Sequence, residues 1–210
     1  MLVLELLGIF VIGYLIGSIP TGYLVVKKRA NVDIREVGSG KMGGYNAFSV
    51  TKSKTTGILV GVLDALKGLV VVYGAMLVSH DSFSAQAVAL FGAIAGQTYP
   101  AWLRFKGGRG LATTAGGLFL LGFSYTVVWC VLWLLGRLFR RDILTSNLIA
   151  ILFTPAIVGV LPWGWVGQLN VRSVEGGIFV FFACILSVQL LLAHFDVVLE
   201  VWRHSNADNL

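Results

Sequence analysis

Seven long apolar runs alternate with short polar or glycine-rich stretches, at roughly residues 2–26, 57–78, 84–103, 110–121, 124–138, 145–161 and 174–192. A helix needs about 20 apolar residues to cross a bilayer. The pattern therefore predicts an all-α polytopic membrane protein with about seven transmembrane helices, some short or kinked. Gly17-Ser18-Ile19-Pro20-Thr21-Gly22 interrupts the first run, where Pro20 removes a backbone donor and kinks the helix. Lys27-Lys28-Arg29 closes that run, which puts this end in the cytoplasm and the N-terminus outside. With no cleavage site after it, the run reads as a retained span. Residues 111–138 as one span would carry Arg137, Arg140 and Arg141 outside, against the positive-inside rule. Two helices turning near Gly122–Ser124 return them to the cytoplasm. The first arm is then only about 18 Å long, a length tolerated where a helix is buried in protein or lines a polar cavity. Trp163 and Trp165 read as an interfacial belt before an outside loop at Gly167–Ser173, and the C-terminus falls in the cytoplasm.

Composition sharpens the class. Of 210 residues, 57% are hydrophobic and 12% charged, with mean hydropathy +0.84, whereas soluble domains are about a quarter charged. One membrane domain spanning 1–210 accounts for the length. The formal charge of +6 sits in short loops between apolar runs, so it reports topology and not nucleic acid. Cys130 and Cys184 lie inside apolar runs and read as buried small hydrophobes rather than a disulfide or metal site. His80 and His204 read as solvated residues, and the Trp and Phe residues as lipid-facing or interfacial anchors. Asp64 and Lys67 stand three apart within the second span. They share a helix face, and charges at that depth pair with a partner or face a polar interior.

Two polar stretches carry candidate chemistry. Val37–Asn46 reads VGSGKMGGYN, and Arg104–Gly110 reads RFKGGRG. Glycines let the backbone approach a ligand closely, successive N–H groups form an anion-binding nest, and lysine adds a point charge. Gly38-x-Gly40-x-x-Gly43 meets a dinucleotide-binding spacing, but no strand–turn–helix unit surrounds it. Taken alone, the first loop is either a connector between helices or a phosphate cradle. Two glycine-rich cationic loops on one membrane face point to a site that grips two anionic groups.

GSIPTGYLVVKK, DIREVGSGKMGGYN, LDALKG and GQTYPAWLRFKGGRGLATTAG, in this order, resemble the PlsY family of bacterial acyl-phosphate:glycerol-3-phosphate acyltransferases. The likeness covers about the first two thirds of the chain. It implies a multi-pass enzyme of the bacterial inner membrane with its active site facing the cytoplasm. It further implies transfer of a fatty acyl group from acyl phosphate to the 1-hydroxyl of glycerol 3-phosphate, giving lysophosphatidic acid, with no cofactor and no metal. The partners implied are these two small molecules and membrane lipids, and a monomer suffices for the chemistry. Carried over residue by residue, the catalytic set is Ser39, Lys106 and His194. The phosphate-binding set is Gly38, Gly40, Lys41, Gly43, Asn46, Gly107, Gly108, Arg109 and Gly110. Ser39 and Asn46 would offer neutral hydrogen bonds, and a substrate phosphate would serve as base.

The chain departs from the family pattern at several places. Lys41 replaces an asparagine, Gly44-Tyr45 replaces Ala-Thr, and Arg109 replaces a lysine. Ser49 stands for an arginine, Gln97 for a histidine, Leu144 for a serine and Val197 for an asparagine. These departures frame an alternative expectation, a silent or acceptor-altered paralogue that binds phosphate or lipid or regulates a partner. A transporter is disfavoured because the spans lack paired inverted repeats.

Overall fold

A computed structural model describes residues 3–140, 142–171, 174–199 and 201, so Arg141, Ser173 and His204 lie outside the described residues. All seven expected apolar runs are helical, and no strand occurs among the described residues. Val3–Ala30, Lys54–Val78, Ile143–Val160 and Gly176–Ala193 are long and apolar enough to cross a membrane, and shorter apolar helices accompany them. Within what the sequence reads as one membrane domain, the chain divides into two compact units, Met1–Leu121 and Gly122–Leu210.

The first unit begins with α1 (Val3–Gly17) and α2 (Thr21–Ala30). Pro20 does more than kink this run: it separates two helices, because residues 18–20 leave the helical ladder. α3 (Gly44–Thr51) follows the first glycine loop. α4 (Lys54–Val78) starts at Ser53, whose Oγ accepts the Thr56 amide and so caps the helix. α5 (Phe83–Thr98) ends before Pro100, and a single 3-10 turn covers Ala101–Leu103. The third expected span is therefore shorter than 84–103, since the residue before a proline avoids the helical region. α6 (Leu111–Leu121) closes the unit, and Gly122 separates it from the next helix as the charge bias requires.

Small residues set the helix spacing. A Cβ on Gly17 would overlap the Ala93 carbonyl, and one on Gly68 would overlap the Thr113 carbonyl. α1 and α5 thus meet backbone to backbone, as do α4 and α6. Such seams gain packing contact where lipid removes any hydrophobic force between helices. Val26, Ile34, Met42, Ala47 and Val60 form a separate apolar cluster beneath the first glycine loop.

The second unit holds α7 (Phe123–Arg140), α8 (Ile143–Val160), α9 (Trp163–Leu169) and α10 (Gly176–Ala193). Asp142 caps α8 by accepting the Thr145 amide at 2.6 Å. Burial pushes this carboxyl up, but the amides of Thr145, Leu144 and Ile143 outweigh burial and hold it below the usual range. Pro155 sits inside α8, and Tyr125 Oη lies 2.6 Å from Ser187 Oγ in the core.

Three expectations are corrected here. α9 covers Trp163, Trp165 and the start of the expected Gly167–Ser173 loop. Cys130 and Cys184 are exposed on the protein surface rather than buried. Phe179 and Phe182 are buried and pack against each other with ring centroids 6.0 Å apart and planes tilted by 36°, instead of facing lipid. Lipid is as apolar as a protein core, so hydrophobicity alone does not tell the two faces of a spanning helix apart.

Candidate active site

The first glycine loop is shaped from within. Gly38 and Gly40 take φ +61° and +67°, the left-handed region that a side chain resists. This winding turns backbone carbonyls inward, where they need donors. Asn46, only 3% exposed, supplies them. Its Nδ2 donates to the carbonyls of Lys41 (2.9 Å), Ile34 (3.2 Å) and Val37 (3.2 Å), and its Oδ1 accepts the Ser39 amide at 3.0 Å. The structure thus gives Asn46 a place inside the loop, with its amide engaged by the loop's own backbone. Ser39 is exposed and Lys41 half-buried at the rim. A Cβ added at Gly43, the residue before α3, meets nothing within 4 Å, so open space lies beside the first amides of that helix.

An ion pair braces the approach to this loop. Arg35 Nη2 lies 2.6 Å from Asp33 Oδ2, and the guanidinium carbon sits 5.1 Å from the Tyr23 ring centroid. The Arg35 hydrogen bond holds the Asp33 carboxyl down at about 2 and raises Arg35 in turn.

The second loop folds back over the end of α5. The Gly108 amide donates to the Gln97 carbonyl at 2.9 Å, and the Phe105 amide donates to the Pro100 carbonyl at 3.0 Å. A Cβ on Gly107 would overlap the Gln97 and Thr98 carbonyls, so only glycine fits there. Arg104 and Phe105 both take left-handed backbone, φ 54° and 60°. Non-glycine residues held this way cost about 1–3 kcal/mol each and cluster at functional sites. Lys106 is exposed, Arg109 half-buried, and Gly110 left-handed at φ +78°.

The two loops meet. The Met42 amide donates to the Gly107 carbonyl at 3.4 Å, and a Cβ on Gly108 would stand 3.8 Å from the Gly43 nitrogen. The spacing of charges along the sequence anticipates two cooperating loops, and the structure places them side by side.

Beneath them lies a buried polar cluster. Lys67 Nζ stands 2.9 Å from Asp64 Oδ1, both almost fully buried on α4. Lys67 also donates to the Ile19 carbonyl (2.9 Å), the Gly17 carbonyl (3.3 Å) and Thr21 Oγ1 (3.2 Å). Thr21 donates to Asp64, and Gln97 joins the cluster through both ends of its amide. Trp102 Nε1 takes the Ser18 carbonyl at 2.9 Å. The carbonyls that the α1–α2 break frees therefore all find donors, which the membrane interior demands. The i,i+3 spacing announces the ion pair. The parts of Thr21, Trp102 and Gln97 go unread because they depend on pairings 33 to 84 positions apart.

His194 belongs to the second unit. It is fully buried at the end of α10, with Nδ1 2.8 Å from the Leu190 carbonyl. Val197 is buried one turn on, and its amide donates to the His194 carbonyl at 2.9 Å. Ser146 is buried and bonds the Asp142 carbonyl at 2.5 Å, beside half-buried Leu144 and Thr145. Ser49 is half-buried on α3. Among the described residues no three His, Cys, Asp or Glu side chains gather to hold a metal.

Helices that cross a membrane, with paired glycine loops above a buried ion pair, define an integral membrane protein equipped to hold anionic groups. Residues 7–207 match the family model described as glycerol-3-phosphate acyltransferase. A glycerol-3-phosphate acyltransferase of Bradyrhizobium diazoefficiens is 38% identical over 185 residues, covering 88% of this chain and 85% of the relative. Glycerol-3-phosphate acyltransferase 2 of Thermotoga maritima is 36% identical over 155 residues, covering 74% and 78%. Among solved structures, PlsY (YgiH), an integral membrane glycerol 3-phosphate acyltransferase, superposes in its glycerol 3-phosphate form. That match has a TM-score of 0.75 at 26% identity, over 95% of this chain and 92% of that one. The lysophosphatidic acid form gives a TM-score of 0.74 at 25% identity over the same shares. The chain belongs to the glycerol-3-phosphate acyltransferase family and is a multi-pass membrane acyltransferase.

Proposed function

We propose that the chain transfers a fatty acyl group from acyl phosphate to the 1-hydroxyl of glycerol 3-phosphate, giving lysophosphatidic acid for phospholipid synthesis. The observation that carries this reading is the meeting of the two glycine loops through Met42 and Gly107. Two phosphate-bearing substrates must be held side by side, and two cationic nests in contact suit that need. The solved relatives captured with glycerol 3-phosphate and with lysophosphatidic acid support both ends of the reaction.

An acyl phosphate is already activated. The glycerol oxygen attacks the acyl carbonyl carbon, the carbon–oxygen bond to phosphate breaks, and inorganic phosphate leaves. The hydroxyl proton passes to a substrate phosphate oxygen, so no covalent enzyme intermediate is needed. The protein's task is then orientation and charge stabilisation. Lys106 and Arg109 neutralise charge gathering on the phosphates and the carbonyl oxygen, and Lys41 adds a third positive charge from the first loop. Ser39 hydrogen-bonds a substrate oxygen at the loop rim, the amides of Gly38 and Gly43 line the first nest and those of Gly107 and Gly110 the second, while Gly40 and Gly108 shape their loops by donating to the Val37 and Gln97 carbonyls. Asn46 serves the first nest by holding its shape. The site opens to the cytoplasm of a bacterial inner membrane, the protein acts as a monomer, and no cofactor or metal takes part.

The test is acyl transfer by purified protein in monoolein, with palmitoyl phosphate and labelled glycerol 3-phosphate, beside a Lys106→Ala control. Labelled lysophosphatidic acid that disappears in the control supports the reading. A folded protein that forms none refutes it, and release of phosphate only with other alcohols moves the acceptor.

A further inference from the structure

One residue joins the ion pair on α4 through its side chain and the second glycine loop through its backbone carbonyl, and Lys67 extends the link to the break in the first helix. Gln97 is 4% exposed. Its Nε2 donates to Asp64 Oδ2 at 3.0 Å, and its Oε1 receives Lys67 Nζ. Lysine only donates and an ionised aspartate only accepts, so these neighbours fix which way the amide faces. Reversing it would set like against like on both sides. The same residue carries the loop: its carbonyl accepts the Gly108 amide at 2.9 Å, and a Cβ on Gly108 would stand 3.1 Å from Nε2. The loop above holds two left-handed non-glycine residues, Arg104 and Phe105, and strain of that kind persists only over a firm base.

We propose that Gln97 is a positioning residue, locked by Asp64 and Lys67, that fixes the height and orientation of the Arg104–Gly110 loop and hence of the phosphate it holds. The inference rests on the acyl-transfer reading for its consequence in catalysis, and on the network alone for its consequence in loop order. Gln97 acts through Gly107 and Gly108 and does not itself touch substrate. Neutral histidine offers one donor and one acceptor, so it satisfies both Asp64 and Lys67. Methionine fills a similar volume and satisfies neither.

The experiment compares wild type, Gln97→Met and Gln97→His in acyl transfer and in hydrogen exchange at the amides of residues 107–110. Gln97→Met is expected to raise KM for the phosphate-bearing substrates by about 10- to 100-fold, the scale of a small misplacement, with kcat less affected. Its loop amides exchange faster, while Gln97→His restores both KM and protection. A folded Gln97→Met protein with wild-type KM and exchange overturns the proposal, and so does a Gln97→His protein as impaired as Gln97→Met. If Gln97→Met does not fold, Gln97→Asn takes its place with the same expectation, being one methylene too short to reach both partners. If wild type itself makes no lysophosphatidic acid, the acyl-transfer reading fails and exchange alone decides. Faster exchange in Gln97→Met then sustains the coupling, and unchanged exchange overturns it.

Discussion

Replacing Asn46 by alanine leaves the carbonyls of Ile34, Val37 and Lys41 and the amide of Ser39 without their side-chain partner. A hydrogen bond contributes about 1 kcal/mol net, so two donor groups and one acceptor together give about 3 kcal/mol. That is a factor of about 10² in the ordered population of the loop. Asn46→Asp is the sharper perturbation because it conserves shape. The carboxylate still accepts the Ser39 amide, but its second oxygen faces three carbonyl oxygens with no proton between them. Unsatisfied buried groups of this kind cost about 1–3 kcal/mol more, so Asn46→Asp is expected to be less active than Asn46→Ala. Burial and facing carbonyls raise the introduced carboxyl's folded pKa. Its penalty is therefore full above that pKa and lifts as pH falls through it. Acyl-transfer kcat/KM at about pH 8 and about pH 5, with exchange at the Ser39 amide, reads both effects. A fully active Asn46→Asp protein, or one that outperforms Asn46→Ala at about pH 8, would refute the view that Asn46 is spent on the loop.

Further outcomes follow from other contacts. Asp33 is held down at about 2 by Arg35, so the clamp's stability is fully present above about pH 4 and is lost as pH falls from there through about 2; an acid titration of the Tyr23 signal should show its release, and Arg35→Lys should loosen it already at neutral pH. Gly68→Ala or Gly116→Ala should lower the thermal midpoint, because either Cβ overlaps a facing carbonyl and overpacking costs about 1–3 kcal/mol. Gly74→Ala, with open space around its Cβ, should be neutral or stabilising, and a fall as large as that of Gly68→Ala would count against the seam. Asp64→Leu strands Lys67 and should cost about 3–5 kcal/mol. The Asp64→Leu, Lys67→Leu double variant should recover part of that loss in the same detergent, and a double variant no more stable than Asp64→Leu would sink the pairing.

Legibility in the sequence followed the strength of the physical constraint. The apolar runs were readable because a bilayer tolerates few backbone arrangements, and the break at Gly122 because a single span over 111–138 conflicts with the positive-inside rule. The two loops were readable from glycine and basic residues together, and Asp64 with Lys67 from their spacing. The bonds of Asn46 to its own loop were not legible, because nothing local tells that a loop wound through Gly38 and Gly40 turns its carbonyls inward. α3 went unread because it is eight residues long and opens on glycine and tyrosine, which resemble the end of the loop. Gln97 was legible as a polar residue at a helix end, but its partners lie on α4, 30 and 33 positions earlier.

The break between α1 and α2 has a consequence for biosynthesis. Val3–Ala30 is apolar enough to enter the membrane as soon as it is made. The donors that settle the carbonyls of Gly17 and Ser18 sit on Lys67 and Trp102. Trp102 lies 84 positions beyond Ser18. At about 5–20 residues per second, it leaves the ribosome roughly 4–17 s later. The first segment must wait that long in the bilayer before its bend has every partner, so the shape of the opening helix is set by residues not yet translated when it inserts.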